Sequence, residues 1–186
     1  MYTLFILIVK ISTMNEIEKY FEKQPYFTPA VAGYLVKDNK VLLGMRKKVS
    51  NGLGKNLIAG IGGKVGDQNK FKGETLEQAL EREVMEEIRV TINSYQNLGK
   101  MHFIFPHKEV WNYEVSVYLV TEWNGEPTET EVIKPIWFEI ENLPQDSMWE
   151  DNLYWLPLML NGSSVDGIFL YDKNGKIKEY ELHENY

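Results

Sequence analysis

Four carboxylates and one arginine cluster in a short stretch of this chain: Glu74, Arg82, Glu83, Glu86 and Glu87. Glu86 and Glu87 follow Glu83 by three and four residues, so a helix would carry all three on one face. Like charges so placed repel by about 0.2–0.5 kcal/mol per pair in water. A solvated surface tolerates this, and a bare E-x-x-E-E face is more often plain surface than a metal site. A divalent cation between the oxygens would make the crowding useful, because Mg²⁺ is a hard ion that prefers such ligands. Upstream lies Gly60-Ile61-Gly62-Gly63-Lys64-Val65, where the lack of side chains lets backbone approach a ligand. The pairing of a glycine-rich segment with an acidic helix favours the metal reading.

The elements around these residues follow from local pattern. Thr75 and Gln78 form a capping-box pair at a helix start. Leu76, Ala79, Leu80, Val84 and Ile88 make an apolar stripe at helical spacing that should face a core. The three glutamates then border that stripe, facing a cleft. Arg82 is expected to orient them as an ion pair, and Glu74 to brace the loop against the helix. Arg89 falls where helices favour a glycine with positive φ, at about 1–2 kcal/mol for a residue with a side chain. Strands are expected at 30–36, 41–45, 90–92, 99–105, 113–121, 136–140, 168–171 and 177–182. Lys37-Asp38-Asn39-Lys40 and Lys173-Asn174-Gly175 are turns, and 47–55 is a loop. A short polar helix is expected over 15–22, and another over 151–160 with Pro157 inside it. The order predicts an α+β fold, a mixed sheet between helices.

Bulk properties narrow the function. A length of 186 residues suits one domain, and 44% hydrophobic with 13% aromatic residues supplies a full core. The net charge is −7 without a basic stripe, which argues against a polynucleotide partner. There is no cysteine, hence no disulfide, zinc-thiolate or thiol nucleophile, in keeping with a reducing compartment. Residues 2–9 form an apolar run shorter than the roughly 20 residues that span a bilayer. A signal peptide or an extra strand would suit that run less well than an over-extended reading frame with Met14 as the natural start. Residues 1–24 are accordingly assigned to an extension and 25–186 to the domain.

The segment from Glu74 to Val90 resembles the Nudix box, G-x5-E-x7-R-E-U-x-E-E-x-G-U, through Glu74, Arg82, Glu83, Val84, Glu86, Glu87 and Val90. Two positions depart from it. Gly63, the opening glycine, lies eleven residues before Glu74, which places a five-residue insertion within 66–72, and Arg89 replaces the late glycine. The likeness runs on through 41–48, Gly62-Gly63-Lys64-Val65, Pro135-Ile136-Trp137-Phe138 and Met148-Trp149-Glu150-Asp151-Asn152-Leu153-Tyr154-Trp155. These segments are similar to the MutT-homologue branch of the Nudix hydrolases, which acts on oxidised purine nucleoside triphosphates such as 8-oxo-dGTP.

That resemblance implies a Nudix fold, a mixed sheet sandwiched between helices, and Mg²⁺-dependent hydrolysis (Mn²⁺ as an alternative ion) to monophosphate and pyrophosphate. It assigns the metal to a carbonyl of Gly62 or Gly63 with Glu83, Glu86 and Glu87. Arg82 stands with them in the catalytic set, and Glu83 is left as either ligand or water-activating base. Lys64 would face a phosphate. Phe103, Phe105, Trp149, Asp151, Asn152 and Trp155 would hold the base. A carboxylate such as Asp151 among aromatics is costly unless paired, and a purine N–H would pair it. The family's second acidic residue is Asn152 here, its base-contacting asparagine falls at Ala59, and its later metal-holding loop glutamate aligns with Val132, for which neighbouring Glu131 or Glu129 would substitute. Loss of such groups should relax discrimination between bases. The resemblance also implies a cytoplasmic monomer with neither membrane nor polynucleotide partner. The competing readings are hydrolysis of another nucleoside diphosphate-linked compound, such as a dinucleoside polyphosphate or ADP-ribose, and a non-catalytic nucleotide sensor.

Overall fold

The computed structural model describes residues 14–47, 56–66 and 71–185. The expectations for residues 1–13, for most of the 47–55 loop and for the middle of the 66–72 insertion lie outside these.

Among the described residues eight strands form one mixed sheet: β1 (Thr28–Lys37), β2 (Lys40–Arg46), β3 (Ile58–Ala59), β4 (Thr91–Ile104), β5 (Tyr113–Asn124), β6 (Ile133–Glu139), β7 (Ser164–Tyr171) and β8 (Ile177–Asn185). Their order is β3-β2-β1-β5-β4-β7-β8, and β6 pairs with β2. β1 with β5 and β4 with β7 are parallel, and the other pairs are antiparallel. The expected strands at 90–92 and 99–105 are one strand, β4, bent by irregularities between Ile92 and Gly99. Alternation across β-bulges breaks the period of two, which is why the sequence reads as two pieces.

Helices cover both faces. α2 (Leu76–Ile88) buries Ala79, Leu80, Val84 and Ile88 against Val31, Leu35, Leu42 and Val120. On the opposite face α3 (Asn152–Leu160) buries Trp155, Leu156 and Met159 against Leu43, Met101, Val117 and Phe169. Leu42 and Leu43, adjacent in β2, enter different cores, as the strand period requires. α1 (Glu16–Phe21) forms as expected, capped by Asn15 with Glu18, but it is not wholly polar. Ile17 and Tyr20 are buried against Ile104 and Leu170. The buried Asn112 links this helix to the pocket wall: its amide donates to Tyr20 Oη at 2.9 Å and accepts from Phe105 N–H at 2.8 Å.

One departure from a simple hairpin builds the site. β1 and β2 pair only from Leu35/Leu42 to the turn, where Asp38 and Asn39 both have positive φ. Beyond it the strands part and the glycine-rich segment enters the gap. β3 takes the edge of β2 at Gly44/Ala59, while Ile61 and Gly33 exchange N–H···O bonds of 2.9 and 2.7 Å. Val31 N–H then bonds the Gly63 carbonyl at 2.9 Å. A Cβ at Gly62 would fall on the Val31 carbonyl, so this wedge requires glycine.

Candidate active site

The acidic residues sit where α2 crosses this wedge. The Thr75 side chain accepts from Gln78 N–H and the Gln78 side chain from Thr75 N–H, so the capping box forms as read from sequence. Arg82 organises the cluster. Its Nε and Nη2 grip Glu74 at 2.7 and 3.0 Å, Nη1 donates to Glu83 at 2.7 Å and to Glu86 at 3.3 Å, and Nη2 also reaches the Lys64 carbonyl at 3.0 Å. Glu74 in turn accepts from Gly66 N–H at 2.9 Å, making it a brace between loop and helix. The Arg82 bonds hold the Glu74 carboxyl below its usual range.

Glu87 is 7% exposed, and its Oε2 accepts from Gly62 N–H at 3.1 Å. Burial, only partly opposed by Arg46 and Gly62, pushes its carboxyl up to about 7. Glu83 is also raised by burial, against the pull of Arg82. Its carboxylate lies so close to the loop that a Cβ at Gly63 would come within 2.5 Å of Oε1. Glu86 is more open, with its side chain 52% exposed. Among the described residues no group of three acidic or histidine side chains is arranged to hold an ion as it stands. Glu83 is turned to Arg82 and Glu87 to Gly62. The Gly63 carbonyl is taken by Val31, whereas no such backbone bond is made to the Gly62 carbonyl among the described residues. On the far side of Glu87, its own carbonyl accepts from Thr130 Oγ1 at 3.0 Å, which ties the loop bearing Glu129 and Glu131 to the end of α2. Glu129 pairs with Lys47 at 2.8 Å.

A cavity of about 530 Å³ runs from these carboxylates to the aromatic end. Glu83, Glu87, Gly62, Gly63 and Lys64 line one part, and Phe103, Phe105, Trp149, Asp151, Asn152 and Trp155 line another. Of the residues singled out in the sequence, Arg82 and Glu86 stand outside the lining, as do Glu74, Glu129 and Glu131. Ala59 lies on the wall, without a polar side chain to offer.

Asp151 differs from its sequence-based picture. It is 2% exposed, yet the protein already satisfies it. Tyr171 Oη donates to Oδ1 at 2.6 Å, and Oδ2 accepts from Trp155 Nε1 at 2.8 Å and Asn152 Nδ2 at 3.2 Å. Sequence reasoning missed Tyr171, Tyr34, Arg46 and Trp111, all of which line the cavity. Tyr171 stacks on Phe105 with ring centroids 4.4 Å apart and an interplanar angle of 2°. Its position follows from the parallel register of β4 and β7, Ile104 beside Leu170, which no local pattern in the chain encodes.

A NUDIX domain matches residues 26–159. The chain is 35% identical over 150 residues to an oxidized purine nucleoside triphosphate hydrolase of Danio rerio, covering 81% of this chain and 90% of that protein. The Mus musculus protein of the same name is 31% identical over 150 residues, with the same coverage. Among solved structures, the MutT protein of Bacillus halodurans shares the fold with a TM-score of 0.68 at 19% identity, over 84% of this chain and 97% of that one. The acidic helix, the glycine wedge and these likenesses agree, and this chain belongs to the NUDIX family.

Proposed function

We propose that the chain is a Nudix hydrolase that cleaves oxidised purine nucleoside triphosphates, 8-oxo-dGTP among them, to the monophosphate and pyrophosphate, clearing damaged nucleotides from the precursor pool. One observation carries this reading: a single cavity joins the acidic helix and glycine wedge to an aromatic pocket with a polar floor. The two ends match the two ends of a nucleotide.

The electrostatics favour a cation-dependent reaction. Glu83 and Glu87 line the phosphate end, where the lining among the described residues holds only Arg46 and Lys64 as basic residues. A polyphosphate entering beside two carboxylates would be repelled. Magnesium bound there would screen that repulsion and polarise phosphoryl oxygen. Glu87, Glu86 and the Gly62 carbonyl are its proposed holders, with Mn²⁺ as a substitute. The donor set fits: oxygen atoms only, one of them a buried carboxylate whose charge the protein leaves poorly compensated.

The remaining work is positioning. Arg82 keeps Glu83 and Glu86 oriented while staying outside the cavity lining. Glu83 faces the cavity as either a further ligand or the base that takes a proton from the attacking water. Lys64 offers charge to the phosphates. Phe103, Phe105, Trp149 and Trp155 enclose the base, and Asp151 with Asn152 reads its edge. Protein of this kind would work as a cytoplasmic monomer on free nucleotides, with no need of polynucleotide or membrane. No helix among the described residues is long and apolar enough to cross a membrane.

The test is a panel of oxidised, methylated and ordinary nucleoside triphosphates at fixed Mg²⁺, compared by kcat/KM with pyrophosphate as the product followed. An oxidised purine should lead the panel. Preferred release of AMP, from ADP-ribose with ribose 5-phosphate or from a dinucleoside polyphosphate with a nucleoside polyphosphate, would overturn the assignment.

A further inference from the structure

The NUDIX match begins at residue 26, so α1 precedes it, yet α1 is built onto the back of the cavity wall. A helix of six residues has too few internal bonds to hold itself in water. Tertiary contacts hold this one. Ile17 and Tyr20 are buried on Ile104 and Leu170, the immediate neighbours of the cavity residues Phe105 and Tyr171 and turned to the opposite face of the sheet. Asn15 Nδ2 donates to Glu181 at 2.9 Å and Glu16 N–H to Glu179 at 3.1 Å, which fastens the start of α1 to β8.

Tyr20 carries the connection to the front. Its hydroxyl accepts from Asn112 Nδ2 at 2.9 Å and turns its proton to Glu109 Oε1, 3.5 Å away. Asn112 is 1% exposed, and its backbone and side-chain polar groups are all engaged. Its Oδ1 accepts from Phe105 N–H at 2.8 Å, its N–H bonds the Glu109 carbonyl at 2.9 Å, and its carbonyl accepts from Thr28 N–H at 2.9 Å. The Phe105 donor fixes which end of the amide faces Tyr20. These bonds close 105–112 into a tight loop, within which Lys108 N–H meets the Phe105 carbonyl and Trp111 N–H the Lys108 carbonyl, both at 2.8 Å. The loop sets Trp111 into the cavity lining, edge-on to Phe105 with centroids 5.5 Å apart, and Lys108 Nζ caps the indole 3.4 Å from its centroid.

We propose that Tyr20 is a positioning residue: through Asn112 it holds Phe105 and Trp111 as one wall of the base pocket, so that α1 belongs to the substrate-binding unit. The inference rests on the base-pocket reading made above and adds to it a part of the chain expected to be an extension. The boundary at residue 25 accordingly moves to the start of α1. A buried polar network with its partners met has one arrangement, and this one spans the helix, the start of β1, the end of β4 and the loop. Phe105 is also held by its stack on Tyr171, whereas Trp111 takes its place from the loop. Loss of the Tyr20 hydroxyl therefore loosens Trp111 first. Among the described residues the carboxylates of α2 share no hydrogen bond with this network, so the reaction should keep its rate once substrate is bound.

The experiment is steady-state kinetics of the full chain with 8-oxo-dGTP and Mg²⁺, read together with amide hydrogen exchange. Tyr20→Phe keeps the ring and removes the hydroxyl. It should raise KM about fivefold, the scale of one hydrogen bond, with kcat unchanged. It should also speed exchange within 105–112 while α2 exchanges as in the wild-type chain. Ile17→Val trims the packing of the same helix without touching the hydroxyl, and should lower stability but leave KM as it was. Asn112→Ser, which withdraws the amide from Tyr20 and Phe105 alike, should raise KM at least as far as Tyr20→Phe. A wild-type KM or wild-type exchange at 105–112 in folded Tyr20→Phe, or an equal rise of KM in Ile17→Val, overturns the positioning role and leaves the pocket standing. No turnover of any purine nucleoside triphosphate by the wild-type chain overturns the pocket reading, and the role of Tyr20 with it.

Discussion

Glu87 and Asp151 are both buried carboxylates on one cavity, and the protein treats them in opposite ways. Asp151 receives three side-chain donors from Tyr171, Trp155 and Asn152. Glu87 accepts one backbone N–H, from Gly62, and its carboxyl stands near 7. A buried charge without full compensation costs several kcal/mol, so such a group either keeps a proton or takes a ligand's charge. On the proposed assignment, the contrast separates a group that would take a ligand's charge from a group that would shape a ligand's fit. It also separates the effects expected of their removal.

The largest effect should come at the waiting carboxylate. Glu87→Gln keeps the shape and the Gly62 contact but removes the charge that would draw Mg²⁺. Turnover should fall by about a thousandfold or more, the scale of several kcal/mol of lost electrostatic stabilisation in the transition state. Affinity for a nucleoside monophosphate should change little, because the base end is untouched. Full Mg²⁺-dependent pyrophosphate release by this variant would erase the distinction between the two carboxylates.

Asp151→Ala tests the other member. It strands Trp155 Nε1, Tyr171 Oη and one Asn152 N–H, and each stranded buried group costs about 1–3 kcal/mol. A loss of about 3 kcal/mol in urea unfolding is expected, together with strongly weakened purine binding. Trp149→Ala should weaken binding by a comparable factor with less loss of stability, since its indole is only partly buried. Unaltered nucleotide affinity in both variants would remove the purine assignment.

A pH titration sharpens the comparison without mutation. The Glu87 carboxyl rises from its ordinary 4.5 to about 7 in the folded chain. Between those values the folded state keeps a proton that the unfolded state has lost. Metal-free stability should therefore fall as pH climbs from about 4.5 to 7 and then level off. Mg²⁺ held at Glu87, as proposed, would have to displace that proton. Its affinity should rise towards pH 7, with close to one proton released at pH 6 in calorimetry across buffers of different ionisation enthalpy. Release that persists in Glu87→Gln would assign the proton elsewhere.

The two ends were unequally legible in the sequence. The acidic end is local: Thr75 with Gln78 starts a helix, an apolar stripe orients it, and Glu83, Glu86 and Glu87 fall on the remaining face whatever the rest of the chain does. The Arg82–Glu74 brace spans eight residues across the helix start and was readable for the same reason. At the base end Phe103 and Phe105 share a face by strand period, so their joint placement was legible too. Tyr171 was not, because it reaches Asp151 across twenty residues through the β4–β7 register. Nor was the satisfied state of Asp151, which depends on that same long-range contact. The parted β1–β2 hairpin was hidden by its own turn, whose Asp38-Asn39 chemistry is that of an ordinary hairpin.

The smallest effect should appear at the end of α2, next to the ridge but outside its chemistry. Arg89 takes the left-handed conformation, φ 65° and ψ 29°, with its N–H bonded to the Met85 carbonyl at 3.2 Å. A side chain there carries about 1–2 kcal/mol of strain, part of which a glycine would give back through its larger unfolded-state freedom. Arg89→Gly should therefore stabilise the chain by about 0.5–1 kcal/mol in urea unfolding. It should leave kcat/KM unchanged, because the carbonyl of Glu87 stays anchored by Thr130 and Gly62 still holds the Glu87 side chain. A drop in activity would mean that the strained cap helps aim Glu87, and would extend the functional end of the helix by a further residue.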